Sequence, residues 1–363
     1  MWRYQKLLPI RPQSIVSAGE GFTPIIFLED LSRELKIDLF IKDESQNPTG
    51  TFKDREASLV ISRSIDLGQN NLVFQSTGNT GLAITYYAGL AGLKSYFFGP
   101  KISHYKLYLP CKKSNNKIIL IDGTPLEIKN YAENFARINN FPKVSPFSER
   151  CEANATLAYE DYEANFWPDY YLQTVAAGMG PIGYFTGHER LVKWGLIEKT
   201  KLPKIIAVQI SEFDPLYRGW IKGRKELTEQ DNLTNYPSSP YEPTLFTTNS
   251  PTYYPQFRRI IRKSKGEILA VKPAEVERSE KKLINSLAKK GIELNLEVER
   301  SPLIGFAGLC RLIDQGKIPL GSKVLLLITG RKTKGQQKIE PDIIIKPNFP
   351  PEKLLEKLEK GKE

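Results

Sequence analysis

The chain has 363 residues, of which 40% are hydrophobic and 26% charged, an ordinary globular composition long enough for two lobes. Its three cysteines and two histidines exclude a disulfide framework and a zinc motif, and leave little room for Ser–His chemistry. The net charge of +11 suits a lysine-rich surface or an anionic partner such as a small phosphorylated substrate, and no nucleic-acid-binding signature accompanies it.

At the N-terminus, "MWRYQKLLPIRPQ" lacks the apolar core and cleavage site of a signal peptide. No apolar run approaches the roughly 18 residues of a membrane helix. A cytoplasmic protein with neither a membrane nor a nucleic-acid partner is expected. Apolar runs predict strands at 38–43, 71–76, 94–99, 117–122, 170–176, 204–210, 267–271 and 323–329. Such near-continuous runs, bounded by Gly, Pro or Ser, imply a parallel sheet buried on both faces. Helical patterns at 80–93, 125–140 and 273–291 alternate with them, so an α/β fold is expected, with ligands at the carboxyl ends of strands. The Pro-, Ser- and Tyr-rich stretch 222–258 reads as a long loop or lid. Residues 341–363 read as a charged C-terminal tail.

Four segments carry candidate chemistry. "NPTGTFKDREAS" sets a turn before a helical pattern, placing Lys53 at a helix N-terminus, where the helix dipole lowers the basicity of an amine. "FQSTGNTGLA" puts Ser76, Thr77, Asn79 and Thr80 between strand and helix, as an anion site or as a plain N-cap turn. "TVAAGMGPIG" places Gly178, Gly180 and Gly183 after a strand and into a helix, the context that a phosphate cradle requires. With Glu212 after the next strand, this also keeps a nicotinamide-binding reading open. Thr329 ends the last strong strand, either as a turn residue or as a hydroxyl facing a ligand. No metal site is expected.

"GEGFTPI", "IKDESQNPTGTFKDRE" and "FQSTGNTGLA" resemble threonine synthases and their relatives among the fold type II pyridoxal-phosphate enzymes. "EANATLAYE", "VERSPLIGFAGL" and "LITGRKTKG" resemble later segments of that family more loosely, so the likeness runs from about residue 2 to 334. The resemblance implies a tryptophan synthase β-like fold: two three-layer α/β/α domains with twisted, mostly parallel sheets. The larger, cofactor-binding domain would comprise 1–56 and 150–340, and the smaller 57–149. The cofactor would be pyridoxal 5'-phosphate.

By the same resemblance, Lys53 would form the Schiff base and move protons, with Phe52 beside it and Asn79 on the phenolic oxygen. Gly178, Met179, Gly180, Pro181, Ile182 and Gly183 would bind the cofactor phosphate, and Thr329 the pyridine nitrogen. Ser76, Thr77, Thr80 and Arg150 would hold the substrate's carboxylate or phosphate. The implied activity is that of a lyase expelling phosphate from O-phosphohomoserine to give threonine, and the implied assembly is a homodimer. The chain departs from the family pattern at Glu56, which replaces a glycine, and at Pro181, which removes a backbone donor. It also departs at Ala153–Thr156 and at Arg331. These changes spare the cofactor core and alter the substrate side. "DYYLQTVAAGMGPIGYF" is closer to cysteate synthase, so β-replacement on O-phosphoserine is the alternative; a non-catalytic scaffold is a third. Arg258, Arg259 and Arg331 would be extra phosphate contacts or solvated charges.

Overall fold

The computed structural model describes residues 1–144, 147–232, 240–297, 299–330 and 336–360. Contacts divide the chain into two compact units: one formed by 1–20, 47–150 and the described residues of 333–363, the other by 21–46 and the described residues of 151–332. The strands, in chain order, are β1 (Ile25–Phe27), β2 (Asp38–Asp43), β3 (Asn71–Gln75), β4 (Lys94–Pro100), β5 (Tyr108–Leu109), β6 (Asn116–Ile121), β7 (Tyr170–Thr174), β8 (Lys204–Ile210), β9 (Glu267–Val271), β10 (Lys323–Ile328), β11 (Gln337–Lys338) and β12 (Ile343–Ile345).

The first unit holds a four-stranded parallel sheet in the order β12-β6-β4-β3, and β11 pairs with β5 in a separate antiparallel ribbon. Side chains alternate across the strands. Leu72, Phe74, Phe97, Ile118 and Leu120 face the helices Lys53–Asp66 and Asn79–Leu90. Val73, Tyr96, Phe98, Ile119 and Ile121 face the helix Pro125–Ile138 together with Leu354 and Leu358. The second unit holds a six-stranded sheet, β1-β2-β10-β7-β8-β9, parallel except for β1. The helices Glu29–Leu35, Pro273–Lys289 and Ser301–Asp314 pack on one face. On the other face, Tyr171 of β7 stacks on Tyr184 of the helix Met179–Lys193 with ring centroids 3.8 Å apart. Each unit is thus an α/β/α sandwich, and each strand expected from sequence forms within a residue or two of its expected bounds.

The boundaries differ from those read from sequence. Residues 1–20 and 47–56, expected in the larger domain, group with the smaller unit, so the helix Lys53–Asp66 lies wholly within it. That helix buries ten of its fourteen residues, so it cannot be divided at residue 56. The tail adds β12 to β6 and buries Leu354 and Leu358. Of the supposed lid 222–258, residues 233–239 lie outside the described residues, and 250–258 belong to a helix, Ser250–Lys263, that buries Tyr253, Tyr254 and Phe257. Its two prolines hide it from a reading of sequence. Pro251 sits in the first turn, where proline is tolerated, and Pro255 lies inside the helix.

Candidate active site

Lys53 is the first residue of its helix, directly after Phe52 at the N-cap. The turn before it closes through Gly50 N–H to Asn47 O at 2.8 Å, with Gly50 at φ +77°, a conformation that suits glycine. Asp54 fixes the same turn by accepting the N–H of Thr49 at 2.6 Å and its hydroxyl. Thr51 Oγ1 accepts the Lys53 N–H at 3.2 Å. The Lys53 side chain emerges over the Phe52 ring, with Nζ 4.1 Å from its centroid, and is 16% exposed.

Nζ donates to Glu56 Oε1 at 2.9 Å, one helical turn on. Arg150 Nε donates to Glu56 Oε2 at 2.7 Å. Burial pushes the Lys53 amine down to about 8; Glu56 opposes the shift and Arg150 adds to it. Desolvation therefore dominates where the sequence pointed to the helix dipole. Arg150, expected on a substrate anion, lies inside this unit against Glu56.

The Ser76–Thr80 turn belongs to the same unit and leads from β3 into the helix Asn79–Leu90. Ser76 Oγ accepts the Gly78 N–H at 3.2 Å, and Thr77 O accepts the Ser103 hydroxyl at 2.5 Å. Asn79 and Thr80 open the helix, half-buried. A Cβ at Gly81 would lie 2.2 Å from the Phe97 ring and force that ring to move.

In the second unit, Gly178 through Gly183 form the start of the helix Met179–Lys193. Gly178 is left-handed at φ +86°, and a Cβ would meet Phe257 at 2.4 Å, so only glycine suits the position. The N–H groups of Gly178, Met179 and Gly180 have no acceptor among the described residues. Pro181 has none to offer, and Ile182 N–H is spent on Gly178 O at 3.2 Å. Three unspent donors at a helix N-terminus fit an anion such as a cofactor phosphate.

Thr329 follows β10, the neighbour of β7 in the same parallel sheet, so it and the Gly178 turn both lie at carboxyl ends of adjacent strands. Its hydroxyl lies 2.7 Å from Ser301 Oγ, which in turn contacts the carboxylate of Glu299. Sequence reading missed Ser301 and Glu299, since nothing in their spacing marks them. Glu56 was visible only as a departure; its i,i+3 spacing from Lys53 was the available signal. Two other expectations find ordinary partners: Glu212 accepts the Tyr241 N–H at 2.7 Å, and Arg259 pairs with Glu189 at 3.2 Å. Arg331 lies outside the described residues.

The first unit thus holds a buried amine of lowered basicity, and the second holds unspent N–H donors at a glycine turn and a buried hydroxyl at a strand end. Residues 16–330 match the profile of the family described as "Pyridoxal-phosphate dependent enzyme". The threonine synthase of Methanocaldococcus jannaschii is 28% identical over 363 residues, spanning 98% of this chain and 84% of that one. That of Mycobacterium tuberculosis is 28% identical over 354 residues, spanning 94% and 89%. Among solved structures, maize serine racemase aligns with a TM-score of 0.68 at 15% identity, covering 89% of this chain and 92% of that one. A threonine deaminase from T.th. aligns with a TM-score of 0.65 at 18% identity, covering 88% and 94%.

Proposed function

Because the chain belongs to the pyridoxal-phosphate dependent enzyme family, with pyridoxal 5'-phosphate as its cofactor, we propose that it acts as threonine synthases do, expelling phosphate from O-phosphohomoserine to form threonine. The observation that carries this reading is Lys53, a buried amine lowered to about 8 at the mouth of a rigid turn. When bound, the cofactor supplies an electron sink for the pair released at the substrate's Cα. Lys53 would anchor the cofactor and would hold or move the proton at that carbon. Phe52 and Asn79 of the first unit would contact the cofactor's ring, and in the second unit Thr329 would meet its pyridine nitrogen and the donors of Gly178, Met179 and Gly180 its phosphate. Ser76, Thr77 and Thr80 receive the substrate's carboxylate.

Substitution of Glu56 for the family's glycine, with Arg150 turned onto it, favours a second reading in which the substrate is O-phosphoserine and the reaction a β-replacement. The purified protein, incubated with pyridoxal 5'-phosphate, is titrated with each phosphorylated amino acid while the visible spectrum and released phosphate are followed. A spectral change with phosphate release from O-phosphohomoserine supports threonine formation. Response to O-phosphoserine alone overturns it in favour of replacement, and response to neither removes both. A protein that takes up no pyridoxal 5'-phosphate is a scaffold.

A further inference from the structure

Glu56 lies one helical turn from Lys53 and has no role of its own in the proposed chemistry. Its carboxylate is buried at 1% exposure and has a cation on each oxygen, Lys53 Nζ at 2.9 Å and Arg150 Nε at 2.7 Å. Arg150 is itself only 9% exposed. Of the other charged or titratable groups nearby, Asp54 is turned to Thr49. On the packed helix Asn79–Leu90, Tyr87 donates to Glu20 at 2.7 Å, and the influences raising Tyr86 come from burial and then from Cys111, Asp54 and Glu20. The charges that bear on the Lys53 amine are therefore Glu56 and Arg150, and they act in opposite directions.

We propose that Glu56, clamped by Arg150, is a positioning residue for Lys53 that steers the amine and governs its proton. The inference rests on the reading of Lys53 as the cofactor's anchor and adds a residue to it. A carboxylate at hydrogen-bond distance favours the ammonium form, while a buried guanidinium behind it favours the free base. A fixed i,i+3 pair also limits the rotamers from which Nζ can reach forward. The free amine, which is the nucleophile, is then available at a pH set by the balance of these two partners.

The test needs no turnover. The full chain is stripped of cofactor with hydroxylamine and pulse-acetylated across about pH 6 to 11. Modification is read at Lys53 by peptide mass spectrometry. Glu56→Gln is expected to move the Lys53 midpoint down by about one unit or more, and Arg150→Gln to move it up. Glu56→Asp, which keeps the charge, stays on the wild-type side of Glu56→Gln. Opposite shifts are a signature that mere loss of packing does not produce. An unmoved midpoint in Glu56→Gln, or shifts of the same sign in both variants, overturns the proposal. If near-ultraviolet circular dichroism finds Glu56→Gln unfolded, Arg150→Gln decides, and the absence of an upward shift is fatal. A chain that fails to bind pyridoxal 5'-phosphate yet gives opposite shifts sinks the functional reading and leaves this one standing. A yellow chain with unmoved midpoints does the reverse.

Discussion

Lys53 was legible because its signals are local: a Pro-Gly turn, then helical spacing. Its surroundings were legible only in part, since the Glu56–Arg150 pair joins residues 94 apart in sequence and no pattern in the chain announces such a meeting. Removing the amine by Lys53→Ala is expected to abolish the cofactor's visible band and to lower turnover by roughly a hundredfold to ten-thousandfold, measured by absorbance and phosphate release. Because only the free base attacks, the rate at which stripped protein takes up pyridoxal 5'-phosphate should climb as pH rises through about 8 and then level off; stopped-flow absorbance reads it. His188 gives a second pH dependence. It is fully buried, its Nε2 has no partner among the described residues, and burial pushes it down to about 4 from 6.5. Between those values the unfolded chain binds a proton that the native chain refuses, so stability falls as pH falls through the window. The loss is about 2 kcal/mol by about pH 5. His188→Leu should therefore narrow the gap between the melting temperatures at neutral and acid pH.

Among elements, long strands were readable because β-branched and aromatic runs are hard to mistake, whereas β5, β11 and β12 span two or three residues each and carry no periodicity. The helix Ser250–Lys263 was misread because proline outweighs a buried face of Tyr253, Tyr254 and Phe257 in any local reading. Pro255 interrupts its hydrogen-bond ladder at an exposed position, so Pro255→Ala should raise stability, by up to about 3 kcal/mol if the backbone needs no repair. Thermal melts decide it, and an unchanged or lower melting temperature would mean that the proline's fixed φ is worth as much as the missing bond. That helix also sets Phe257 against Gly178. Gly178→Ala must clash with the ring and strain a φ of +86°, and is expected to weaken cofactor retention on dialysis more than it lowers the melting temperature.

For the molecule as a whole, the sequence disclosed the α/β class and the alternation of elements, but not which strands become neighbours. Adjacency is decided by how distant faces bury one another, and that cannot be read one segment at a time. The same blindness led the tail to be taken for an appendage. It supplies Ile345, Leu354 and Leu358 to a cluster with Val73, Phe98 and Phe135, and Asp342 accepts the Ile118 N–H at 2.8 Å. Each of those aliphatic side chains contributes about 1.5–3 kcal/mol when buried. A chain ended after residue 341 should accordingly melt well below the intact protein or fail to stay in solution.

The strand order has a consequence for how the protein comes into being. β10 lies between β2 and β7, yet it emerges from the ribosome about 285 residues after the first of them begins (Asp38 to Lys323). Through most of synthesis β2, and through its later part β7 as well, waits with a bare edge on the side that β10 will fill, the state in which strands pair with the wrong neighbour. A nascent chain stalled before Lys323 should therefore be held by chaperones and cut readily by protease, and should become resistant only when the last segments are released.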